Sequence, residues 1–242
     1  MITIKVVIPV YNAEKWIGKC IMSIVNQTYT NWQCIIINDK STDNTFEMIK
    51  RYIPRSHYKN FIVHNNKTNV GALNNIADGI SRVSGDADDV IVLVDGDDWL
   101  AHKNVFAILN KAYDNPNTWL TYGNYVTASD GKIGCNQVLT STHDYRNQNW
   151  KTSHLRTFKY HLWNKLDNKD LRNPDGAYYS MAWDMAIMYP LIEMAGLKRI
   201  QLIKDIMYIY NNLNPLNDYK KNILLQELIE KDIRSKEPYD EI

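Results

Sequence analysis

Asp95, Gly96, Asp97 and Asp98 place three carboxylates within four consecutive positions of a 242-residue chain. Like charges so close repel, and moving them out of water is costly unless a cation or hydrogen-bond donors compensate. Hard oxygen ligands with no His or Cys beside them in sequence suit Mg²⁺ or Mn²⁺, ions whose shells are typically completed by substrate phosphates. A solvated acidic turn uses the same residue types, and the spacing alone leaves both readings open. The residues before the acids bear on the choice. Val90-Ile91-Val92-Leu93-Val94 is an aliphatic run with four β-branched members. Without polar alternation it predicts a strand covered on both faces, as in a parallel sheet between helices. The acids then sit at the strand's carboxyl end, the edge at which open α/β sheets bind ligands.

The elements that must position this loop can be read from the first hundred residues. Ile4 to Val10 predicts a strand, with Pro9 near its end where a ladder donor is no longer needed. Ala13 to Asn26 spaces Trp16, Ile17, Cys20, Ile21, Ile24 and Val25 as an amphipathic helix. Trp32 to Asn38 predicts the next strand, and beyond it a helix to about Ile53 capped by Ser41 or Thr42. Phe61 to His64 is a short strand, and Leu73, Ile76, Ala77 and Ile80 keep a helical period after Asn69-Val70-Gly71. Strand and helix alternate three times before the strand that carries the acids, which predicts a parallel sheet built from right-handed crossovers. The loops bearing Tyr11 and Asn12, Asp39, and the acids should open on one edge.

The second half is less regular. Val105 to Tyr113 suits a helix, and Trp119 to Ala128 a strand turning at Asp130-Gly131 into a second strand toward Leu139. Thr140 to Asn149 is polar and suggests a mobile loop. Ser153 can cap a helix through His161 with Leu155, Phe158 and Leu162 near its core face. Ala182 to Ala195 predicts a helix stopped by Gly196, and Leu197 to Tyr210 contains strand residues. A last helix, about 217–236 and starting near Asp218, should carry Ile223, Leu224, Leu228 and Ile229 on one side, with a disordered charged tail from Ser235 to Ile242.

Composition excludes some partners. Lys plus Arg number 28 against 27 Asp plus Glu, and a net charge of +1 offers no electrostatic case for nucleic acid. Cys20, Cys34 and Cys135 are an odd, scattered set without metal-ligand spacing, which points to reduced thiols and a cytoplasmic setting. No uncharged run reaches transmembrane length, and a soluble protein is expected. One domain is expected, 1–98 as its nucleotide-binding half and 99–242 as its acceptor half. Oligomeric state is not legible here.

Four ordered blocks of this chain resemble the family 2 glycosyltransferases of the GT-A fold. They are Val6-Val7-Ile8-Pro9-Val10-Tyr11-Asn12-Ala13-Glu14, Ile37-Asn38-Asp39-Lys40-Ser41-Thr42-Asp43-Asn44-Thr45, Asn69-Val70-Gly71 and Asp95-Gly96-Asp97-Asp98. The resemblance covers the N-terminal half strongly and the rest weakly. It implies a Rossmann-like α/β sandwich whose central, mostly parallel sheet has helices on both faces and a smaller β/α region on the acceptor side. It also implies a metal-dependent, inverting transfer from a nucleoside-diphosphate sugar, UDP-linked first of all, to a hydroxyl on a saccharide or glycoprotein. Pro9 and the ring of Tyr11 are then expected to line the base pocket with Asn12, and Asp39 to hydrogen-bond a uracil-type base. Asn69, Gly71 and Gly96 belong to the same nucleotide site. Glu14 either orients its loop or sits in a helical first turn. Asp95 is expected at the ribose, and Asp97 and Asp98 at an Mn²⁺ or Mg²⁺ bridging the phosphates.

A hydroxyl needs a carboxylate to take its proton. The family's acidic pair is represented by Trp183-Asp184, so Asp184 is the expected base, with Asp175 as its rival. The glutamate of that pair is absent. An arginine common after the Asn-x-Gly block is replaced by Asn74, leaving Lys67 as a substitute cation near the phosphates, and His154 is an alternative approach to the metal. Those departures leave room for a nucleotide-sugar binding module without catalysis. A nucleotidyltransferase is disfavoured because no glycine-rich phosphate loop with a lysine is present.

Overall fold

The computed structural model describes residues 1–83, 85–134, 137–215 and 223–242. Cys135 and the helix start expected at Asp218 lie outside them; Cys20 and Cys34 are buried free thiols. The first half alternates β1 (Ile4–Val10), α1 (Ile17–Val25), β2 (Trp32–Asn38), α2 (Thr45–Tyr52), β3 (Phe61–Asn65), α3 (Ala72–Val83) and β4 (Val90–Leu93). After the acids come β5 (Trp99–Leu100), α4 (Val105–Tyr113), β6 (Leu120–Thr127), β7 (Ser153–Lys159), α5 (Tyr160–Trp163), α6 (Trp183–Ala195), β8 (Ile200–Tyr210) and α7 (Ile223–Ser235).

One eight-stranded sheet runs β3-β2-β1-β4-β7-β6-β8-β5. The strands β1 to β4 are mutually parallel wherever they pair, as the alternating pattern predicted. Beyond β4 the sheet is mixed: β7 runs antiparallel to both β4 and β6, β8 parallel to β6, and β5 antiparallel to β8. The whole is an α/β architecture with a helical layer on each face. Successive residues of β1 serve opposite layers, Val6 and Ile8 packing with α1, α2 and α4, and Val7 with α3 and α6.

Four expectations are corrected. Ser153 to Lys159 is a strand, not the start of a helix. Wedged between β4 and β6 it is buried on both faces, so no polar alternation marks it, and Leu155, Phe158 and Leu162 happen to keep a helical spacing. The turn at Asp130-Gly131 forms, Thr127 N–H donating to Lys132 O at 2.9 Å, but the chain beyond the turn makes only a single bridge, Val126 to Ile133, among the described residues. Within α7, Leu224 and Leu228 face solvent while Ile233 is buried. The tail is docked: Ile242 N–H donates to Met194 O and Tyr239 Oη to Asp170 at 2.6 Å.

A buried ion pair explains how the C-terminus and the 140–149 segment are held. Arg146 grips Glu193 of α6 through Nε at 2.6 Å and Nη2 at 2.9 Å, and its Nη1 donates to Ile233 O of α7. Glu193 also accepts from Tyr239 N–H. The segment expected to be a mobile loop therefore buries Tyr145 and Arg146. Removing one partner leaves the other charge buried and alone. Glu193→Ala should cost about 3–5 kcal/mol in urea unfolding, whereas Glu241→Ala, which breaks the exposed pair with Arg199, should cost under about 1 kcal/mol.

Candidate functional site

At the carboxyl edge of β1 and β4 a cavity of about 520 Å³ opens. Its wall includes Pro9, Tyr11, Asp39, Asn69, Gly71, Asp95, Gly96, Asp97, Asp98 and Asp184 among the expected residues. Asn12 and Glu14 do not line it. They brace the two loops beneath: Asn12 Oδ1 accepts from Thr42 N–H at 2.7 Å, and Glu14 Oε2 from Asn44 N–H at 2.9 Å. Ser41 donates to Asn38 and accepts from Asn12 N–H, so neither Ser41 nor Thr42 caps α2; its N-cap is Asn44, without a side-chain cap bond, and Asp43 Oδ1 just before it accepts from Thr45 N–H at 3.0 Å. Lys67 and Asp175 are exposed and outside the cavity.

Asp39 is buried and closes the neighbouring loop onto β2. Its Oδ1 accepts from Asn66 Nδ2 and Val70 N–H, and its Oδ2 from Gly71 N–H, each at 2.9 Å. Gly71 is at φ +87°, a backbone state open to glycine and strained for other residues. A carboxylate offers about four acceptor sites, so one on Oδ2 remains. Gly96 is needed for a different reason. A Cβ there would stand 2.5 Å from the side chain of Val10 and 3.1 Å from Pro9 O. The acid loop can therefore lie flat against the end of β1, Gly96 N–H donating to Pro9 O.

The second half completes the acid cluster. Asp98 Oδ1 accepts from Asn211 N–H at 2.7 Å, Asp97 Oδ2 from Asn214 Nδ2 at 2.6 Å, and Asp95 N–H donates to Tyr208 Oη at 3.1 Å. Burial first, then the charges of Asp97 and Asp95, push the Asp98 carboxyl well above the usual carboxylate range. Its Oδ2 is buried with no hydrogen-bond partner. Asp95, Asp98 and His154 each bring a donor atom within 4.8 Å of the others. Burial, then Arg156, holds the His154 imidazole well below its usual range, so it offers a lone pair at neutral pH. Its ring is fixed by stacking on Tyr208 with centroids 4.2 Å apart. Two carboxylates and a neutral imidazole fit a divalent cation such as Mn²⁺.

Arg156 and Asn75 are residues that sequence reasoning passed over. On β7, positions 154 and 156 share a face, which points both His154 and Arg156 into the cavity. No alternation marked them, since the strand is buried on both faces and Thr157 on the opposite face is polar as well, and the helical spacing of Leu155, Phe158 and Leu162 pointed elsewhere. Arg156 Nη2 donates to Asp184 Oδ2 at 2.9 Å, while its buried Nε has no partner. Asn75 accepts from Asn66 Nδ2 at 2.7 Å, and its own buried Nδ2 is also without one. Asp184 stands in the first turn of α6, behind Ala182 in the left-handed region. Three unsatisfied buried polar atoms on one cavity wall, one acceptor and two donors, are rare in a folded protein and ask for a ligand.

Residues 5–176 match the family model described as Glycosyl transferase family 2. Among curated proteins, glycosyltransferase GlyA of Streptococcus pneumoniae is 31% identical over 53% of this chain and 18% of its own length. S. aureus TarS 1-349, solved with UDP-GlcNAc, superposes with a TM-score of 0.64 at 17% identity, covering 87% of this chain and 58% of that one. The mannosyltransferase PcManGT from Pyrobaculum calidifontis, solved with GDP-Man and Mn²⁺, gives 0.59 at 15% identity over 89% and 58%. This chain thus spans less than two thirds of each of these three proteins, and at such identities the two structures establish the fold.

A raised Asp98 pKa means that the folded state holds this proton more tightly than the unfolded one, so stability falls as pH rises from the ordinary carboxylate value toward the raised one. Asp98→Asn keeps an acceptor for Asn211 and removes the charge. In metal-free buffer its melting midpoint should exceed the wild type's by a few degrees, about 2–4 °C per kcal/mol for this size, and the gap should close as pH is lowered toward 4.

Proposed function

We propose, since the chain belongs to glycosyl transferase family 2, that it moves a sugar from a nucleoside-diphosphate sugar to an acceptor hydroxyl with inversion at the anomeric carbon. The observation that carries the reading is the gathering of Asp98 Oδ2, Asn75 Nδ2 and Arg156 Nε, all buried and unsatisfied, on the wall that also holds Asp184. A UDP-sugar is the favoured donor. The remaining acceptor site on Asp39 Oδ2 suits the ring N–H of a uracil, and Tyr11, 41% exposed at the cavity rim, offers a ring face to the base. The fold shared with TarS, solved with UDP-GlcNAc, supports the same choice.

In the proposed reaction the acceptor oxygen attacks the anomeric carbon from the side opposite the diphosphate. The carbon–oxygen bond to the phosphate breaks, and its electron pair leaves with the diphosphate. Asp184 takes the acceptor's proton. Its Oδ2 is held by Arg156, which orients the carboxylate and leaves Oδ1 for that task. Arg156 Nε and Asn75 Nδ2 are donors suited to phosphate oxygens, and a preorganised donor of this kind stabilises charge that grows in the transition state. A divalent cation held by Asp95, Asp98 and His154 would add positive charge against the leaving diphosphate. Asp97, tied to Asn214, keeps the loop that presents the other two acids in register.

Asp184→Asn tests the assignment. Transfer, monitored as UDP release from a panel of UDP-sugars with oligosaccharide acceptors, should fall by roughly 10²–10⁴-fold. The rise in melting midpoint caused by UDP with Mn²⁺ should survive, because ligand binding to the native state is intact. Transfer at the wild-type rate in this variant would remove Asp184 from the base role. A wild type whose midpoint ignores UDP, GDP, dTDP and CDP, with or without Mn²⁺, would remove the nucleotide from the cavity.

A further inference from the structure

We propose that a second groove, running along α3 beside the nucleotide cavity, binds a saccharide and holds the body of the acceptor. The inference rests on the transferase reading for its role, though its binding test does not. The groove has a volume of about 400 Å³, within the range of small-molecule sites. One wall is the face of α3 formed by Asn74, Ala77, Asp78 and Ser81, at the i, i+3, i+4, i+7 spacing of a single helix stripe. Facing them, at the end of α5 and in the segment that climbs back to α6, stand the half-buried rings of Trp163 and Tyr178.

Both rings are braced from behind. Trp163 stacks on Phe158 with centroids 6.2 Å apart and planes at 18°, and the Arg172 guanidinium lies 3.9 Å over Tyr178. The guanidinium is itself fixed by Asn168 and Gly176 O. A braced ring offers its other face, and a pyranose is a ligand with an apolar C–H face for the ring and hydroxyls around its edge for polar groups. The polar groups are there. Asp78 commits Oδ2 to Arg82 at 2.7 Å and keeps Oδ1, and Ser81 Oγ donates to Asp78 O while keeping its lone pairs. The Asn74 side-chain amide and the Trp163 indole N–H make no hydrogen bond among the described residues. A peptide's apolar side chain would strand these groups, and the Asp78 charge disfavours a phosphate. A neutral saccharide satisfies both the rings and the amide.

The groove's position gives the site its use. Asn75 lines the nucleotide cavity and Asn74 lines the groove; Ser180 lines the cavity and Tyr178 the groove. Residues two apart in extended chain are separated by roughly 7 Å. A saccharide with its reacting hydroxyl at Asp184 therefore continues alongside α3 into the groove, where a sugar unit behind the reacting end rests on Tyr178 and Trp163.

The test is direct binding by the whole chain, without donor and without turnover. Cellotetraose, maltotetraose and tetra-N-acetylchitotetraose are titrated while Trp fluorescence and saturation-transfer NMR are recorded, on wild type, Tyr178→Ala and Asn74→Leu. Saturable binding of at least one tetrasaccharide that weakens roughly tenfold in each variant, with equal melting midpoints and an unchanged UDP–Mn²⁺ shift, supports the groove. The same loss with no UDP shift in any form still supports it, and overturns the nucleotide reading instead. Saturable binding untouched by both substitutions overturns the location, and the absence of binding by all three sugars while UDP binds overturns the proposal.

Discussion

The burial of charge at the end of β4 constrains much of the rest of this molecule. Asp98 is 1% exposed beside two further carboxylates, and no part of the first hundred residues supplies the donors that hold it there. They come from the end of β8 and the residues just after it: Asn211 N–H donates to Asp98, Asn214 Nδ2 donates to the neighbouring Asp97, and the Tyr208 hydroxyl accepts from Asp95 N–H. β8 must therefore return to the same edge as β1 and β4, and β5, immediately after the acids, pairs with it in register at Trp99–Ile209 and Leu100–Tyr208. Gly96 sets the other side of the clamp by letting the loop lie on Val10. The acid loop is thus bonded to both halves of the chain, and neither half forms the site alone.

This dependence explains which parts of the fold and site were legible in the sequence. The parallel half was readable because each strand is a short apolar run, each helix carries its own period, and the crossover rule orders them. Pro9, Tyr11, Asp39, Asn69, Gly71 and the acids all stand at loops whose edge that rule specifies, and Asp184 at a helix start marked from behind by Gly196 thirteen residues after Trp183. His154 and Arg156 were hidden by a physical degeneracy: a strand buried on both faces shows no alternation, and Leu155, Phe158 and Leu162 satisfy a helical period as well. The docked C-terminus was illegible for another reason. Glu193 meets Arg146 across 47 residues and Tyr239 across 46, and nothing local marks either partner. Leu224 and Leu228 are apolar at helical spacing yet exposed, a reminder that periodicity locates a helix more securely than it locates the core.

Asn12 and Glu14 show how a motif can be built for its frame. Both belong to the block at the end of β1, yet both spend their oxygens on the loop after β2. The loops that carry Tyr11 and Asp39 are thereby tied to each other before any ligand arrives, and Asp39 fixes the third loop through Val70 and Gly71. Loops held in this way lose little further entropy on binding, the condition for a preorganised pocket.

On the proposed reading, charge balance explains why the cavity would take a cation. Asp39, Asp95, Asp97, Asp98 and Asp184 line it against one guanidinium, Arg156, and a His154 kept neutral by burial. A diphosphate brought to such a wall meets like charge, and Arg156 is already engaged with Asp184 through Nη2. In the reduced dielectric of a half-closed cavity these repulsions exceed their value in water, and an exposed Lys67 outside the wall does little against them. On the proposed reading the positive charge enters with the ligand. Asp98 Oδ2, buried without a hydrogen-bond partner, would receive it, flanked by Asp95 and by His154, whose imidazole burial holds toward its neutral form. On the proposed reading, donor binding and cation binding are therefore one coupled event, each supplying the countercharge that the other lacks.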